Sequence, residues 1–186
     1  MTMRGPRTFP PSPARGDLTD STLYETIGRA LSTWEFVEAN PAMLVAYLAP
    51  EDKARLQFMR AYGQNTAFSY REKAARKAAR EFFSTRLADP ALHARVDTLL
   101  DEYVRLAPYR NDIAHGIVQQ YAGGGFALFP AFHATKYRPL VDAEREWTGA
   151  AYVYSSAEIR AFMKEFSLLY PEAINLISEI INALKL

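Results

Sequence analysis

Apolar residues recur at every third or fourth position through most of this chain, the spacing that buries one face of a helix. The first such run begins near Asp20, a residue type that caps helix N-termini. Its apolar face contains Leu23, Ile27, Ala30, Leu31, Trp34 and Val37. Asn40-Pro41 then resembles a cap followed by a first-turn proline, so the helix is expected either to kink there or to restart over 41–48.

The same spacing predicts further helices over about 51–62 and about 67–87. It also predicts a last helix that runs to the end of the sequence. Ser155 and Glu158, three residues apart, have the pattern of a capping box at the start of that helix. Pro171 is expected to kink or restart it.

A long helix is predicted to begin at Asp89-Pro90, which again pairs a cap with a first-turn proline. Pro108 removes a backbone hydrogen bond and crowds the preceding turn, so a kink is expected at 105–108. Gly116 is expected to end this helix.

The helical spacing stops after that glycine. Three consecutive glycines separate two β-prone stretches, 117–121 and 126–129, which predicts a hairpin. Residues 130–146 have the composition of a loop, and 151–154 is a candidate third short strand. The pattern therefore predicts a mainly α-helical fold, with four or five helices packed as a bundle and a small β-hairpin insert around 117–154.

The N-terminal stretch differs in composition from the rest. It is rich in proline and arginine and poor in periodic apolar residues, so residues 1–18 are expected to form a flexible tail. Residues 19–186 are expected to form one helical domain, for which the length is sufficient.

Composition excludes several kinds of chemistry. The chain has no cysteine, which excludes disulfides, thiolate metal sites and cysteine catalysis. No cluster of carboxylates and histidines has ligand spacing, so neither a metal nor another cofactor is expected. No apolar run approaches the roughly 18 residues of a membrane span, and the N-terminus lacks the apolar stretch of a signal peptide. We therefore expect a cytoplasmic protein without a membrane-spanning segment.

The net charge of +1 does not mark the whole molecule as a polyanion binder, but basic residues concentrate in the predicted helix 67–87. Lys73, Arg76, Lys77 and Arg80 fall on one helix face and are candidate RNA-binding residues. A solvated helix face is the alternative explanation of this stripe.

The most informative stretch is Arg110-Asn111-Asp112-Ile113-Ala114-His115, at the predicted end of the long helix. Arginine carries a donor fork suited to phosphate, and histidine suits proton transfer near neutral pH. Arg110, Asn111 and His115 are therefore candidate catalytic residues for metal-independent chemistry on a phosphodiester. Alternatively, these residues only form a polar helix end.

The string Arg-Asn-x-x-Ala-His resembles the motif of the HEPN domains, a family of small helical proteins, with Arg110, Asn111 and His115 at the motif positions. The resemblance implies a metal-independent endoribonuclease acting as a homodimer on RNA, in a toxin–antitoxin or phage-defence setting with an antitoxin or another partner protein. His115 would act as general base or acid, and Arg110 would hold the phosphate. In one subgroup a modified tyrosine stands two residues after the histidine, but Ile117 occupies that position here.

The geometry of a single helix bears on this assignment. Residues five apart lie roughly 140° apart around a helix axis, so Arg110 and His115 do not share a face, whereas Asn111 and His115 do. Asn111 is thus placed to hydrogen-bond the imidazole. For Arg110 to act with His115, its side chain would have to reach around the helix, the helix end would have to distort, or two copies would have to meet. The resemblance implies the last of these, with the two motifs of a dimer facing each other across a two-fold axis. A non-catalytic HEPN-like module that binds nucleotide, RNA or protein remains the alternative, as does a helical scaffold.

Overall fold

A computed structural model describes residues 9–49, 55–65, 67–131, 150 and 152–184. The described residues contain five helices and one antiparallel hairpin: α1 (Asp20–Leu48), α2 (Arg55–Gln64), α3 (Phe68–Thr85), α4 (Pro90–His115), β1 (Gly116–Gln120), β2 (Phe126–Pro130) and α5 (Ser156–Ala183). The mainly α-helical fold with a small hairpin insert is confirmed. The predicted opening of the second helix at residue 51 and most of the predicted loop over 130–146 lie outside the described residues. None of these helices is long and apolar enough to cross a membrane.

The chain divides into two compact units. We call Met1–Leu31 with Tyr109–Phe162 the hairpin unit, and Ser32–Pro108 with Met163–Leu186 the helical unit. Helices α1, α4 and α5 contribute residues to both units.

The core of the helical unit is built around Trp34, whose side chain is buried. Its ring lies edge-on to Phe166 and to Tyr103, with centroids 5.0 and 6.1 Å away. Phe68 of α3 approaches it at 6.2 Å. Helices α1, α3, α4 and α5 all contribute to this aromatic cluster, as the 3–4 spacing of their apolar residues predicts.

Helix α1 continues through Pro41, so it does not restart at 41. Proline has no N–H, and it therefore cannot donate to the carbonyl of Val37 one turn earlier. That carbonyl instead accepts hydrogen bonds from Asn40 Nδ2 at 2.9 Å and from the Tyr103 hydroxyl at 2.8 Å. Burial raises the pKa of Tyr103, which keeps the hydroxyl neutral and able to donate. Because the carbonyl is satisfied from two sides, the helix tolerates the proline.

Helices α4 and α5 likewise run through Pro108 and Pro171 as single helices. The predicted cap of α4 is confirmed, because Asp89 Oδ1 accepts a hydrogen bond from the N–H of Leu92 at 2.9 Å. At the other end, α4 stops at His115 and Gly116 begins β1 directly. A Cβ on Gly116 would lie 2.6 Å from the Leu128 side chain. Because the φ of Gly116 is not positive, close packing rather than backbone conformation requires a glycine here.

In the hairpin unit, β1 and β2 pair with Gly116 opposite Pro130 and Gln120 opposite Phe126. The outer edge of β2 is also paired: Phe126 forms a bridge with Asp17. Leu128 forms another with Tyr154, which reduces the candidate third strand at 151–154 to a single bridge among the described residues.

Part of the predicted tail lies against this hairpin. The N–H groups of Gly16 and Asp17 donate to the carbonyls of Gly124 and Phe126 at 2.9 and 2.8 Å. A Cβ at Gly125 would lie 2.3 Å from the Asp17 carbonyl oxygen. The glycine run thus provides room for the N-terminal segment as well as the positive φ that its turn requires. Residues 1–8 lie outside the described part of the chain.

The same segment reaches the start of α5. The predicted capping box is confirmed, because the Ser155 N–H donates to Glu158 Oε2 at 2.7 Å. Asp17 Oδ2 accepts a second hydrogen bond, from the Ser156 N–H at 2.7 Å. An aspartate from a distant part of the sequence therefore also caps this helix, and its charge suits a helix N-terminus.

Candidate functional site

The motif occupies the last two turns of α4, in the hairpin unit. Asp112 and Ile113 are buried, with 2% and 1% of their surface exposed. Arg110 and Asn111 are half-buried, and His115 is exposed at the end of the helix. The motif therefore has one side packed into the protein and one side open to solvent.

Its less buried side includes all three residues that the sequence predicts to be catalytic, Arg110, Asn111 and His115. Successive residues of a helix are roughly 100° apart around its axis. Going around the axis from Arg110 to His115, an arc of roughly 140°, one passes first Ala114 and then Asn111. The buried pair Asp112 and Ile113 occupies the opposite side. Arg110 and His115 thus stand at the two margins of one partly exposed arc, in which only His115 is fully exposed.

Asn111 lies within this arc and contacts the arginine. Arg110 Nη1 donates to Asn111 Oδ1 at 3.4 Å, so the guanidinium leans from its margin towards the centre of the arc. Among the described residues no hydrogen bond joins Asn111 to His115. The Asn111 side chain therefore contacts the guanidinium of Arg110, whereas the sequence predicts that it orients the imidazole.

On the buried side, two tyrosines from the segment before α5 bind Asp112. The Tyr154 hydroxyl donates to Asp112 Oδ2 at 3.1 Å, and the Tyr152 hydroxyl donates to the Asp112 carbonyl at 3.2 Å. The two tyrosine rings stack with centroids 4.6 Å apart. Sequence reasoning missed both residues, and the only available signal was a charged residue on the apolar side of α4.

Aromatic rings reinforce this attachment. Tyr109, immediately before the motif, stacks on Phe162 of α5 with ring centroids 4.3 Å apart. Tyr154 meets the same phenylalanine edge-on at 5.2 Å. The end of α4 is consequently held by packing from 152–162 as well as by its own helical hydrogen bonds.

The predicted basic stripe lies on α3, in the helical unit. Arg76 is largely buried by ion pairs: its Nη1 lies 3.0 Å from Asp97 and its Nη2 lies 2.6 Å from Asp101, both on α4. Its Nε also contacts Glu72 on its own helix. This arginine links α3 to α4, and three carboxylates already surround its charge.

The other three cations of the stripe are exposed. Lys73 lies over the Tyr70 ring, with its Nζ 5.9 Å from the centroid. Lys77 forms a long i,i+4 contact with Glu81, at 3.7 Å. The basic surface therefore consists of Lys73, Lys77 and Arg80 and is smaller than the sequence predicts. The exposed contacts of Lys73 and Lys77 stabilise the protein little.

A cleft of about 300 Å³ lies elsewhere in the helical unit, between α4 and α5. Its apolar lining includes Leu99 and Leu169, and the Arg95–Glu172 and Arg105–Glu165 ion pairs are part of its wall. It contains none of the predicted site residues. Among the described residues, no three histidine, aspartate or glutamate side chains group as a metal site would need.

Comparison of the chain with protein-family models, with curated proteins and with solved structures gave no match.

Proposed function

We propose that this protein is a metal-independent endoribonuclease of the HEPN type that acts as a homodimer. The observation that best supports the proposal is the partly exposed arc at the end of α4, with Arg110 and His115 at its margins and Asn111 between them. The arc provides a phosphate-binding cation and a proton-transfer group on one accessible surface. Its opposite side is buried, so the arc is presented on a packed helix end.

Each residue has a chemical role in RNA cleavage. His115 takes the proton from a ribose 2′-hydroxyl as that oxygen attacks the adjacent phosphorus. Arg110 binds the phosphate and stabilises the charge that develops on its oxygens, and Asn111 orients the guanidinium. The bond from phosphorus to the 5′-oxygen then breaks, and this oxygen receives a proton from a general acid. The products are a 2′,3′-cyclic phosphate end and a 5′-hydroxyl end.

A dimer resolves two geometrical limits of the single chain. The motif contains one histidine, whereas the reaction needs both a base and an acid; a second copy supplies the other imidazole. Arg110 and His115 also stand at opposite margins of the arc, so two-fold pairing of two arcs would bring an arginine of one copy towards a histidine of the other. We expect sedimentation at tens of micromolar to show a dimer, and a monomer would count against a shared site.

The biological setting rests on the resemblance to the HEPN family alone. It suggests a cytoplasmic toxin–antitoxin or phage-defence protein with an antitoxin or another partner protein. A second candidate function is a non-catalytic module that binds nucleotide or RNA. The exposed surface of Lys73, Lys77 and Arg80 favours that candidate.

The testing experiment is cleavage of single-stranded RNA in EDTA. Wild-type protein should leave cyclic phosphate ends, and His115→Ala and Arg110→Ala should abolish cleavage. Arg110→Lys should restore it poorly, because a lysine cannot reproduce the guanidinium fork. His93→Gln is the matched histidine control, since His93 is half-buried and stacked on Phe83 with centroids 4.7 Å apart. It should cleave like the wild type.

Other outcomes would contradict the proposal. A strict requirement for a divalent metal would exclude this mechanism. Loss of the fold in His115→Ala and Arg110→Ala would support a structural role for the motif. Absence of cleavage, with RNA binding that weakens in Lys77→Ala and Arg80→Ala, would favour the binding module.

A further inference from the structure

Asp112 is an unexpected residue for its position. Only 2% of its surface is exposed, and its neighbour Ile113 fills the same buried side of α4 with an apolar side chain. Removing a carboxylate from water is costly, and an apolar residue of similar volume is often at least as stable in such a place. The use of an aspartate here calls for an explanation other than packing.

Tyr154, which donates to the Asp112 side chain, is itself held by several contacts. The backbone N–H and carbonyl of Tyr154 form hydrogen bonds with Leu128 of β2 at 3.0 and 2.8 Å. Its ring is stacked on Tyr152 and lies edge-on to Phe162. Two hydroxyls, one of them from a tyrosine that is hydrogen-bonded to β2, therefore bind the side chain and the main chain of one residue in the last turn of α4. Helix carbonyls run out of intrahelical donors in this turn.

We propose that Tyr152 and Tyr154 are positioning residues, which act through Asp112 to set the direction in which Arg110 and His115 project. This inference rests on the proposed ribonuclease function. Asp112 lies between the two motif residues on the same helix, so a rotation or fraying of the last turn moves both. A displacement of about 1 Å at a reacting group is enough to lower a rate roughly 100-fold. The two hydroxyls prevent that displacement.

The first test removes one hydroxyl and keeps the ring. Tyr154→Phe should lower kcat for RNA cleavage by roughly 10- to 100-fold and change KM much less, because the chemical step depends on the geometry more strongly than binding does. Tyr121→Phe is the matched control. Its hydroxyl also donates within the hairpin unit, to the Pro13 carbonyl at 2.7 Å, but not to Asp112. Its kcat should equal that of the wild type.

A second set separates positioning from stability. Asp112→Asn keeps an oxygen that can accept from Tyr154, so it should retain most of the activity. The double variant Asp112→Leu/Tyr154→Phe removes both polar partners of this contact, and it should fold yet lose cleavage. A double variant that folds and cleaves like the wild type would overturn the proposal.

A readout that does not depend on cleavage is the NMR spectrum of the Arg110 Nε–H and the His115 imidazole. Tyr154→Phe should shift both signals, whereas Tyr121→Phe should leave them in place. If Tyr154→Phe shifts both signals but the wild type cleaves no RNA, the positioning role is retained and the ribonuclease function is rejected. Cleavage by the wild type, with unchanged signals and unchanged kcat in Tyr154→Phe, would reject the positioning role alone.

Discussion

The ion pair between Glu38 and Arg71 allows a quantitative test of the helical unit. Glu38 is 5% exposed, and its Oε1 lies 2.8 Å from the Arg71 guanidinium. Its other oxygen accepts a hydrogen bond from Trp34 Nε1 at 2.7 Å. The change Arg71→Leu removes this cation from beside a buried carboxylate.

Breaking a buried ion pair from one side costs about 3–5 kcal/mol. We expect the lower end, about 3 kcal/mol, because Arg71 retains 22% exposure and the Trp34 hydrogen bond survives. For a chain of 186 residues this lowers Tm by about 6–12 °C. The double variant Glu38→Leu/Arg71→Leu removes both charges and leaves the indole N–H without this acceptor, so it should cost only about 1–2 kcal/mol.

The assay is urea unfolding of the wild type, the single variant and the double variant. Arg95→Leu is the control, because Arg95 forms ion pairs with two carboxylates but is 43% exposed. This change should lower the free energy of unfolding by less than about 1 kcal/mol. If Arg71→Leu lowers the free energy of unfolding no more than Arg95→Leu does, burial does not decide the strength of these ion pairs. A double variant less stable than Arg71→Leu would likewise refute the reasoning.

Three further predictions concern other parts of the fold. Burial raises the pKa of Tyr62 and Tyr103 above that of an unfolded tyrosine, so unfolding releases protons above pH 10. The free energy of unfolding should therefore fall there by up to about 1.4 kcal/mol per pH unit for each tyrosine. Tyr103→Phe should reduce this slope in urea titrations at alkaline pH. Asp17→Ala should lower stability by about 1 kcal/mol through loss of an α5 cap, and hydrogen exchange at the N-terminal segment should rise; unchanged exchange would contradict this role. Gly125→Ala should destabilise the protein, because Gly125 has a positive φ and lies close to the Asp17 carbonyl. Gly63 lies inside α2 with open space around it, so Gly63→Ala should stabilise the protein by about 0.5–1 kcal/mol in thermal unfolding. The reverse order of stabilities would contradict the packing described.

The parts of this fold that the sequence predicts well depend on contacts a few residues apart. The apolar spacing of α1 and α5, the cap at Asp89 and the capping box at Ser155 involve residues within one or two turns of each other. The hairpin followed from its glycine run for the same reason. These features need no knowledge of which elements meet in space.

The parts that were missed depend on distant partners. Proline content suggested a tail, but residues 16 and 17 pair with a strand edge more than one hundred positions away. Tyr154 contacts Asp112 across 42 positions. Arg76 belongs to a basic stripe in sequence and to an acidic cluster in space, since Asp97 and Asp101 come from another helix. A single sequence contains no signal for such pairings.

The candidate site shows both cases. The motif and its place at the end of a helix could be predicted, as could the separation of Arg110 and His115 around the axis. The identity of the buried side could not, because it depends on how 152–162 packs against α4. That packing decides which arc of the motif faces solvent.

The most direct test of the central claim is chemical rescue of His115→Ala by free imidazole in EDTA. If His115 transfers a proton in a metal-independent ribonuclease, the variant should retain no more than a residual rate, at least roughly 100-fold below that of the wild type. Added imidazole should restore part of that rate and leave the same cyclic phosphate ends. Wild-type cleavage rates in His115→Ala, or a slow variant that imidazole does not accelerate, would contradict the assignment of His115 as the proton-transfer group.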